Sequence, residues 1–195
     1  MLIGLTGGIG SGKSAVSRGL REMGYQVLDT DKIARELMET DQELRAEIRE
    51  CFGLLAYQSD GRLNRQLIAS TVFTHQSSLE RLNKIVHPKV IEYVRDYAAR
   101  HKEQTTIVES AILFESAMDS LCDAVVTVSA PEPLRIKRVK RRDLCSDDAV
   151  RQRMSRQLTD EQREQKSDLI ITNGENAKIS DLCLQVNNFL CNFAG

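Results

Sequence analysis

Residues 7–14 read Gly7-Gly8-Ile9-Gly10-Ser11-Gly12-Lys13-Ser14, and the apolar run Leu2-Ile3-Gly4-Leu5 precedes them. The stretch fits G-x-x-x-x-G-K-[ST], the phosphate-binding loop. Glycines let the backbone turn tightly and take positive φ, so that successive N–H groups converge on one concave point. A helix beginning near Lys13 adds its positive dipole end and its unpaired N–H groups to the same spot. Lys13 then reaches the β- and γ-phosphates, and the Ser14 hydroxyl is a hard oxygen ligand for Mg²⁺. An accidental glycine-rich turn is the bland alternative. The context speaks against it: a strand before, and after it an amphipathic helix with Val16, Leu20 and Met23 on one face and Gly24 as its stop.

The chain has 195 residues, enough for one sizeable core with lobes inserted in it. A net charge of −1 gives no global field that would point to nucleic acid or a membrane surface. No apolar window approaches the length of a membrane span. The five cysteines (Cys51, Cys122, Cys145, Cys183 and Cys191) form no C-x-x-C pair, and no targeting segment precedes the glycine loop, which predicts reduced thiols in cytoplasm.

Beyond the first helix, Gln26-Val27-Leu28 reads as a short strand that delivers Asp29-Thr30-Asp31 at its carboxyl end, where ligands sit in open α/β sheets. Period-two alternation predicts Asp29 and Asp31 on one side, with one capping the helix 32–38 and the other available as a base. Residues 40–102 read as helical throughout, with capping boxes at Thr40-Asp41-Gln42-Glu43 and Ser77-Ser78-Leu79-Glu80 and a stripe of Leu63, Leu67, Ile68, Thr71 and Val72. Pro88 is expected to interrupt the third helical segment, with His87 extended before it. So long a helical stretch between two strands exceeds an ordinary crossover and predicts an inserted lobe. Arg65 and His87 are its ligand candidates, set against the plainer readings of a surface arginine and a helix-boundary histidine.

Residues 105–109 and 123–128 follow as β-rich runs, the second nearly continuous and so buried on both faces. Neither ends in the aspartate of a Walker B strand, so Mg²⁺ would rest on Ser14, phosphates and water, with Asp31 or Glu109 behind them. Between the runs, Ala111 to Glu115 reads as core packing apart from the acidic Glu115. Pro131 and Pro133 open a basic helix in which Arg135, Arg138 and Arg142 share a stripe. It fits a solvated face, a nucleic-acid patch or arginines reaching over a triphosphate; the absence of interleaved aromatics weakens the second. Two short charged helices, 146–158 and one behind the capping box Thr159 to Gln162, read as a lid with too few apolar residues for deep burial. A last strand, residues 167–172, leads through the Asn173-Gly174 turn to an amphipathic helix over 177–193.

In this order the pieces resemble the dephospho-coenzyme A kinase family along essentially the whole chain. The carriers are Leu5 to Ser14; Asp29, Asp31, Ile33, Ala34 and Arg35; Asp60-Gly61-Arg62-Leu63-Asn64-Arg65; His87-Pro88; Arg138 to Asp143; and Arg153 to Gln157. Thr30, Ala111-Ile112-Leu113-Phe114-Glu115 and Ser167 depart from the usual residues, but no charged group is lost. The resemblance implies an α/β fold, a P-loop NTPase or nucleoside-monophosphate-kinase-like parallel sheet flanked by helices. Residues 1–30 and 104–195 would form the nucleotide-binding core, with a lid at about 142–166, and residues 31–103 the helical acceptor-binding lobe.

It further implies transfer of the ATP γ-phosphoryl, with Mg²⁺, to the 3′-hydroxyl of dephospho-coenzyme A. Asp31, Lys13 and Arg142 would be catalytic. Gly8, Ile9, Gly10, Ser11, Gly12, Lys13, Ser14, Ala15, Arg138, Asn173 and Gly174 would hold ATP, and Thr6, Asp31, Arg65, His87 and Glu115 the acceptor. The rivals are a nucleoside or nucleotide kinase with the same loop and a nucleotide-dependent switch. A GTPase would need Asn-Lys-x-Asp, and Asn83-Lys84-Ile85-Val86 lacks the Asp.

Overall fold

Five runs rich in β-branched and aliphatic residues become the strands of one parallel sheet: β1 (Leu2–Thr6), β2 (Gln26–Asp29), β3 (Thr106–Glu109), β4 (Ala124–Ser129) and β5 (Leu169–Thr172). The computed structural model describes residues 1–74 and 76–193. The strand order is β2-β3-β1-β4-β5, and every pairing is parallel. Inner strands have two covered faces, so β1 and β3 are buried along their whole length, whereas the edge strands β2 and β5 are partly exposed. The chain passes from one side of β1 to the other between β3 and β4, which makes the carboxyl end of β1 a topological switch point. The glycine loop leaves the sheet there.

The helices are α1 (Lys13–Glu22), α2 (Thr30–Thr40), α3 (Gln42–Phe52), α4 (Arg65–Thr74), α5 (Gln76–Arg100), α6 (Glu132–Asp143), α7 (Asp147–Met154), α8 (Asp160–Glu164) and α9 (Ile179–Phe193). The core joins Ile3, Leu5, Ile107, Val126, Val128 and Ile171 of the sheet to Val16 and Leu20 of α1 and Leu182, Val186 and Leu190 of α9. Each such side chain stabilises the fold by about 1.5–3 kcal/mol relative to exposure. A Cβ on Gly19 would lie 2.6 Å from Cys183 Sγ, so the glycine lets α1 and α9 approach. Met23 belongs to no buried stripe; it lies beyond α1 and is exposed.

The chain divides into two compact units, Met1–Asp29 with Ala98–Gly195 and Thr30–Tyr97. In the second, Tyr57 donates its hydroxyl to Met38 O at 2.7 Å, and its ring lies under the guanidinium groups of Arg45 and Arg49 at 4.8 and 5.0 Å.

Local signals fail at several places in this unit. Asp31 does not continue the strand: the ladder ends where Asp29 meets Glu109 of β3, and the chain turns into α2 at Thr30. Asp31 therefore occupies a first helical turn, where the helix dipole favours a carboxylate. Asp41, not Thr40, caps α3, accepting from Leu44 N at 2.9 Å. Ser77 starts no helix, because α5 is already running at Gln76. Leu63 precedes α4 and bridges to Tyr57. Pro88 lies inside α5 and His87 is helical. A helix-interior proline costs about 3 kcal/mol, and burial of Val86, Val90 and Val94 on the same helix offsets it.

The segment read as a lid is also better held than its composition suggests. Val150 of α7 is fully buried with Ile136 and Val139 of α6, and Arg163 of α8 is 2% exposed. Thr159 and Gln162 form the expected capping box. Ser129 of β4 donates to Glu164 at 2.7 Å and pins α8 to the sheet.

Candidate active site

The loop between β1 and α1 closes a turn by Ser11 N donating to Gly8 O at 3.0 Å, with Gly10 at φ +80°. Gly12 precedes α1 in the left-handed region at φ +95° and offers no side-chain cap to the first N–H groups of the helix. Those groups and the dipole are what an anion uses.

The loop's carbonyls are held from outside. Buried Asn173 donates Nδ2 to Ser11 O at 2.7 Å, and Arg138 reaches Ser11 O and Gly174 O, each at 3.3 Å. Arg138 and Asn173 thus support the loop's backbone, and Gly174 meets Arg138. A Cβ on Gly12 would lie 2.1 Å from Asn173 Nδ2. Gly12→Ala combines left-handed strain of about 1–2 kcal/mol with overpacking of about 1–3 kcal/mol. A urea titration should show unfolding free energy lowered by at least about 2 kcal/mol.

Register brings Glu109 to the same place. It pairs with Leu5 of β1 on one side and Asp29 of β2 on the other, at the carboxyl edge of the sheet. Its Oε1 accepts from Lys13 Nζ at 2.8 Å and from Ser14 Oγ at 2.9 Å, with the residue only 5% exposed. Burial pushes its carboxyl up, but the charge and hydrogen bond of Lys13 and the hydrogen bond of Ser14 outweigh that and hold it below the usual glutamate range. The sequence signal for this role was an acidic residue closing an apolar strand, one strand away from the loop.

Behind the loop, a Cβ on Gly8 would lie 2.2 Å from Arg135 Nη1. Arg135 is buried and bonds Asp160 at 2.5 Å, and Asp160 also binds Arg163 at 2.9 Å. This network of two arginines around one aspartate carries no sequence signal, because nothing in the spacing brings α6 and α8 together.

Other candidates have other partners. Arg142 is largely exposed and donates to both oxygens of Asp143, at 2.7 and 3.0 Å. That hydrogen bond from Arg142, opposed by burial and helped by Arg153, holds the Asp143 carboxyl down at about 2. Glu115 accepts from Leu158 N at 2.8 Å. Thr6 ends β1, and its buried hydroxyl has no hydrogen-bond partner among the described residues. In the second unit, Arg65 begins α4 and pairs with Glu39 at 2.8 Å, and His87 is half-buried, which lowers its pKa. Asp31 is exposed, and Arg35 donates to its carbonyl at 2.9 Å.

The family model for dephospho-CoA kinase matches residues 1–178. The chain belongs to the dephospho-CoA kinase family. A dephospho-CoA kinase of Fusobacterium nucleatum is 35% identical over 189 residues, 97% of this chain and 96% of that protein. The crystal structure of TT1252 from Thermus thermophilus superposes with a TM-score of 0.82 at 30% identity, over 100% of this chain and 98% of that one. The dephospho-CoA kinase from Campylobacter jejuni has the same fold, with a TM-score of 0.73 at 24% identity over 100% and 98% of the two chains. Dephospho-CoA kinases carry out the ATP-dependent phosphorylation of dephospho-CoA, the final step of coenzyme A biosynthesis, and this is the activity of the chain. Among the described residues no helix is long and apolar enough to cross a membrane.

Proposed function

We propose that the phosphoryl group goes to the 3′-hydroxyl of dephospho-CoA, with Asp31 as the base. Asp31 takes the hydroxyl proton as that oxygen bonds to the γ-phosphorus, the bond to the β–γ bridging oxygen breaks, and ADP leaves. Lys13 and Arg142 neutralise charge on the transferring group, so that most of the rate comes from positioning and electrostatics. For Arg142 this requires exchanging its exposed pair with Asp143 for phosphate. The loop residues Gly8 to Ala15 hold the phosphates, with Arg138, Asn173 and Gly174 toward the adenine. Residues 31–103, with Arg65 and His87, hold the acceptor together with Thr6 and Glu115, and residues 142–166 form a lid that excludes water.

The observation that carries this reading is the meeting of Lys13 and Ser14 on Glu109 Oε1 at the mouth of the loop. A hydroxyl and a carboxylate oxygen 2.9 Å apart are a donor set that suits Mg²⁺, a hard cation that keeps phosphate and water oxygens as its other ligands. Ser14 would hold the ion, with Glu109 fixing the hydroxyl. The ion would supply charge neutralisation between the β- and γ-phosphates.

The deciding assay offers Mg·ATP with dephospho-CoA and with a panel of nucleosides and nucleotides. Phosphorus NMR of the product should place the new phosphate on the ribose 3′ carbon; phosphate elsewhere, or faster turnover of another acceptor, would refute the assignment. Excess chelator should stop turnover and added Mg²⁺ restore it. Ser14→Ala should raise the Mg²⁺ needed for half-maximal rate by about 10-fold or more.

A further inference from the structure

Gln157 lies just beyond α7, its N–H donating to Met154 O at 3.0 Å. Its side-chain amide makes two hydrogen bonds at once: Oε1 accepts from Ile9 N at 2.9 Å, and Nε2 donates to Ala111 O at 3.0 Å. Only one orientation of the amide satisfies both partners, since the flipped one would face N–H with N–H and oxygen with oxygen.

Both partners matter to the reaction. Ile9 and Gly10 are the middle pair of the turn closed by Ser11 N and Gly8 O, and φ +80° at Gly10 is that of the third residue of a type II turn. Such a turn leaves the N–H of its second residue outside its own hydrogen bond, and here Gln157 takes it. The Ile9 side chain packs on the Ile136, Val139 and Val150 cluster, so the crest of the phosphate loop is fixed through side chain and backbone alike. Ala111 follows Glu109 by two residues. One amide therefore ties the loop crest to the strand end whose carboxylate holds Lys13 and Ser14. The next residue adds a second tie, Leu158 N to Glu115 at 2.8 Å.

We propose that Gln157 is a positioning residue for phosphoryl transfer: its amide sets the Ile9 peptide, and with it the phosphate loop, against the end of β3. It acts through the Ile9 peptide and the Ala111 carbonyl, its two hydrogen-bond partners. The proposal rests on the phosphate-loop reading of residues 7–14 and adds to it a coupling between loop geometry and the segment after α7. A displacement of about 1 Å in such a site can cost about 10²-fold in rate.

Gln157→Ala and Gln157→Glu test it with wild type assayed alongside. Gln157→Ala loses both bonds, and its kcat should fall by at least about threefold, up to the figure above, with KM for dephospho-CoA within about twofold. In Gln157→Glu the carboxylate still accepts from Ile9 N, but its second oxygen faces the Ala111 carbonyl with no proton to donate. Protonated, the same group matches the amide, donating to Ala111 O and accepting from Ile9 N. The ratio of Gln157→Glu to wild-type kcat should therefore rise by at least about threefold from about pH 8 to pH 5.5, a recovery that a purely structural role would not produce. A smaller kcat loss in Gln157→Ala, or a flat ratio in Gln157→Glu, overturns the proposal; should Gln157→Ala not fold, the pH profile of Gln157→Glu decides. Failure of wild type on dephospho-CoA would instead count against the acceptor, and the same comparison on ATP hydrolysis would still decide on Gln157.

Discussion

Lys13→Ala should lower kcat by about 10²–10³-fold, the range for loss of one preorganised group aimed at transition-state charge, and it should also destabilise the fold in a pH-dependent way. The second effect follows from Glu109, which is buried and would lose the Lys13 ammonium while keeping the Ser14 hydroxyl. Breaking a buried pair by removing one partner costs about 3–5 kcal/mol, because a charge is left uncompensated. In the wild type the folded-state pKa of Glu109 is depressed, so its contribution is present above the unfolded value of about 4.3 and is lost as pH falls through the folded value. Without Lys13, burial, the largest influence on this carboxyl, is opposed by the Ser17 and Ser14 hydroxyls, and burial favours the neutral acid. The folded pKa then lies above the unfolded one, and the variant loses stability as pH rises past about 4.3. The gap in unfolding free energy between the two proteins should thus be widest near neutral pH and shrink toward pH 4. Urea titrations at both ends measure it; a gap that does not change with pH would mean that Lys13 does not set the charge of Glu109.

The sheet and the loop were legible because their signals are local and agree with one another. Residues 2–14 carry a strand, a glycine turn and a helix start in one continuous stretch, and the buried runs of β3 and β4 admit no other placement. The second unit was less legible for the opposite reason. Pro88 and the Ser77 box are strong local signals, yet α5 runs through both, because packing along a helix of 25 residues outweighs one proline ring and one cap. Asp31 was assigned to an extended chain because alternation alone does not tell where a ladder ends; the last residue of β3 decides that.

In the site, the residues named from the loop were readable from spacing. The groups that hold the loop, namely Glu109 on Lys13 and Ser14, Gln157 on Ile9 and Arg135 over Gly8, come from parts of the chain that only the folded topology makes neighbours. Gln157 stood in a recognised motif, but spacing could not assign it two partners lying 148 and 46 residues away.

Asp31→Asn carries the other large effect, and it separates the two aspartates that the sequence left in competition. As the base, Asp31 accounts for about 10²–10⁴-fold of the rate, and asparagine keeps its shape while removing its ability to take a proton. The loss should fall on kcat, with ATP affinity little changed, because the substitution leaves the groups of the phosphate loop itself intact. The fold should barely notice: an exposed carboxylate in a first helical turn is worth about 0.3–1 kcal/mol through the dipole. Asp29 is a different case. It ends β2 beside Glu109 and directly precedes α2, so Asp29→Asn acts on a strand end and a helix start as well as on local charge. Calorimetric titration with a non-hydrolysable ATP analogue, together with steady-state kinetics on both variants, distinguishes them. Loss of kcat at unchanged nucleotide affinity in Asp31→Asn, with stability and rate changing together in Asp29→Asn, assigns the proton to Asp31. The reverse pattern would move the base to the strand end, where the acceptor hydroxyl would have to be delivered next to Glu109 instead of to the helix start.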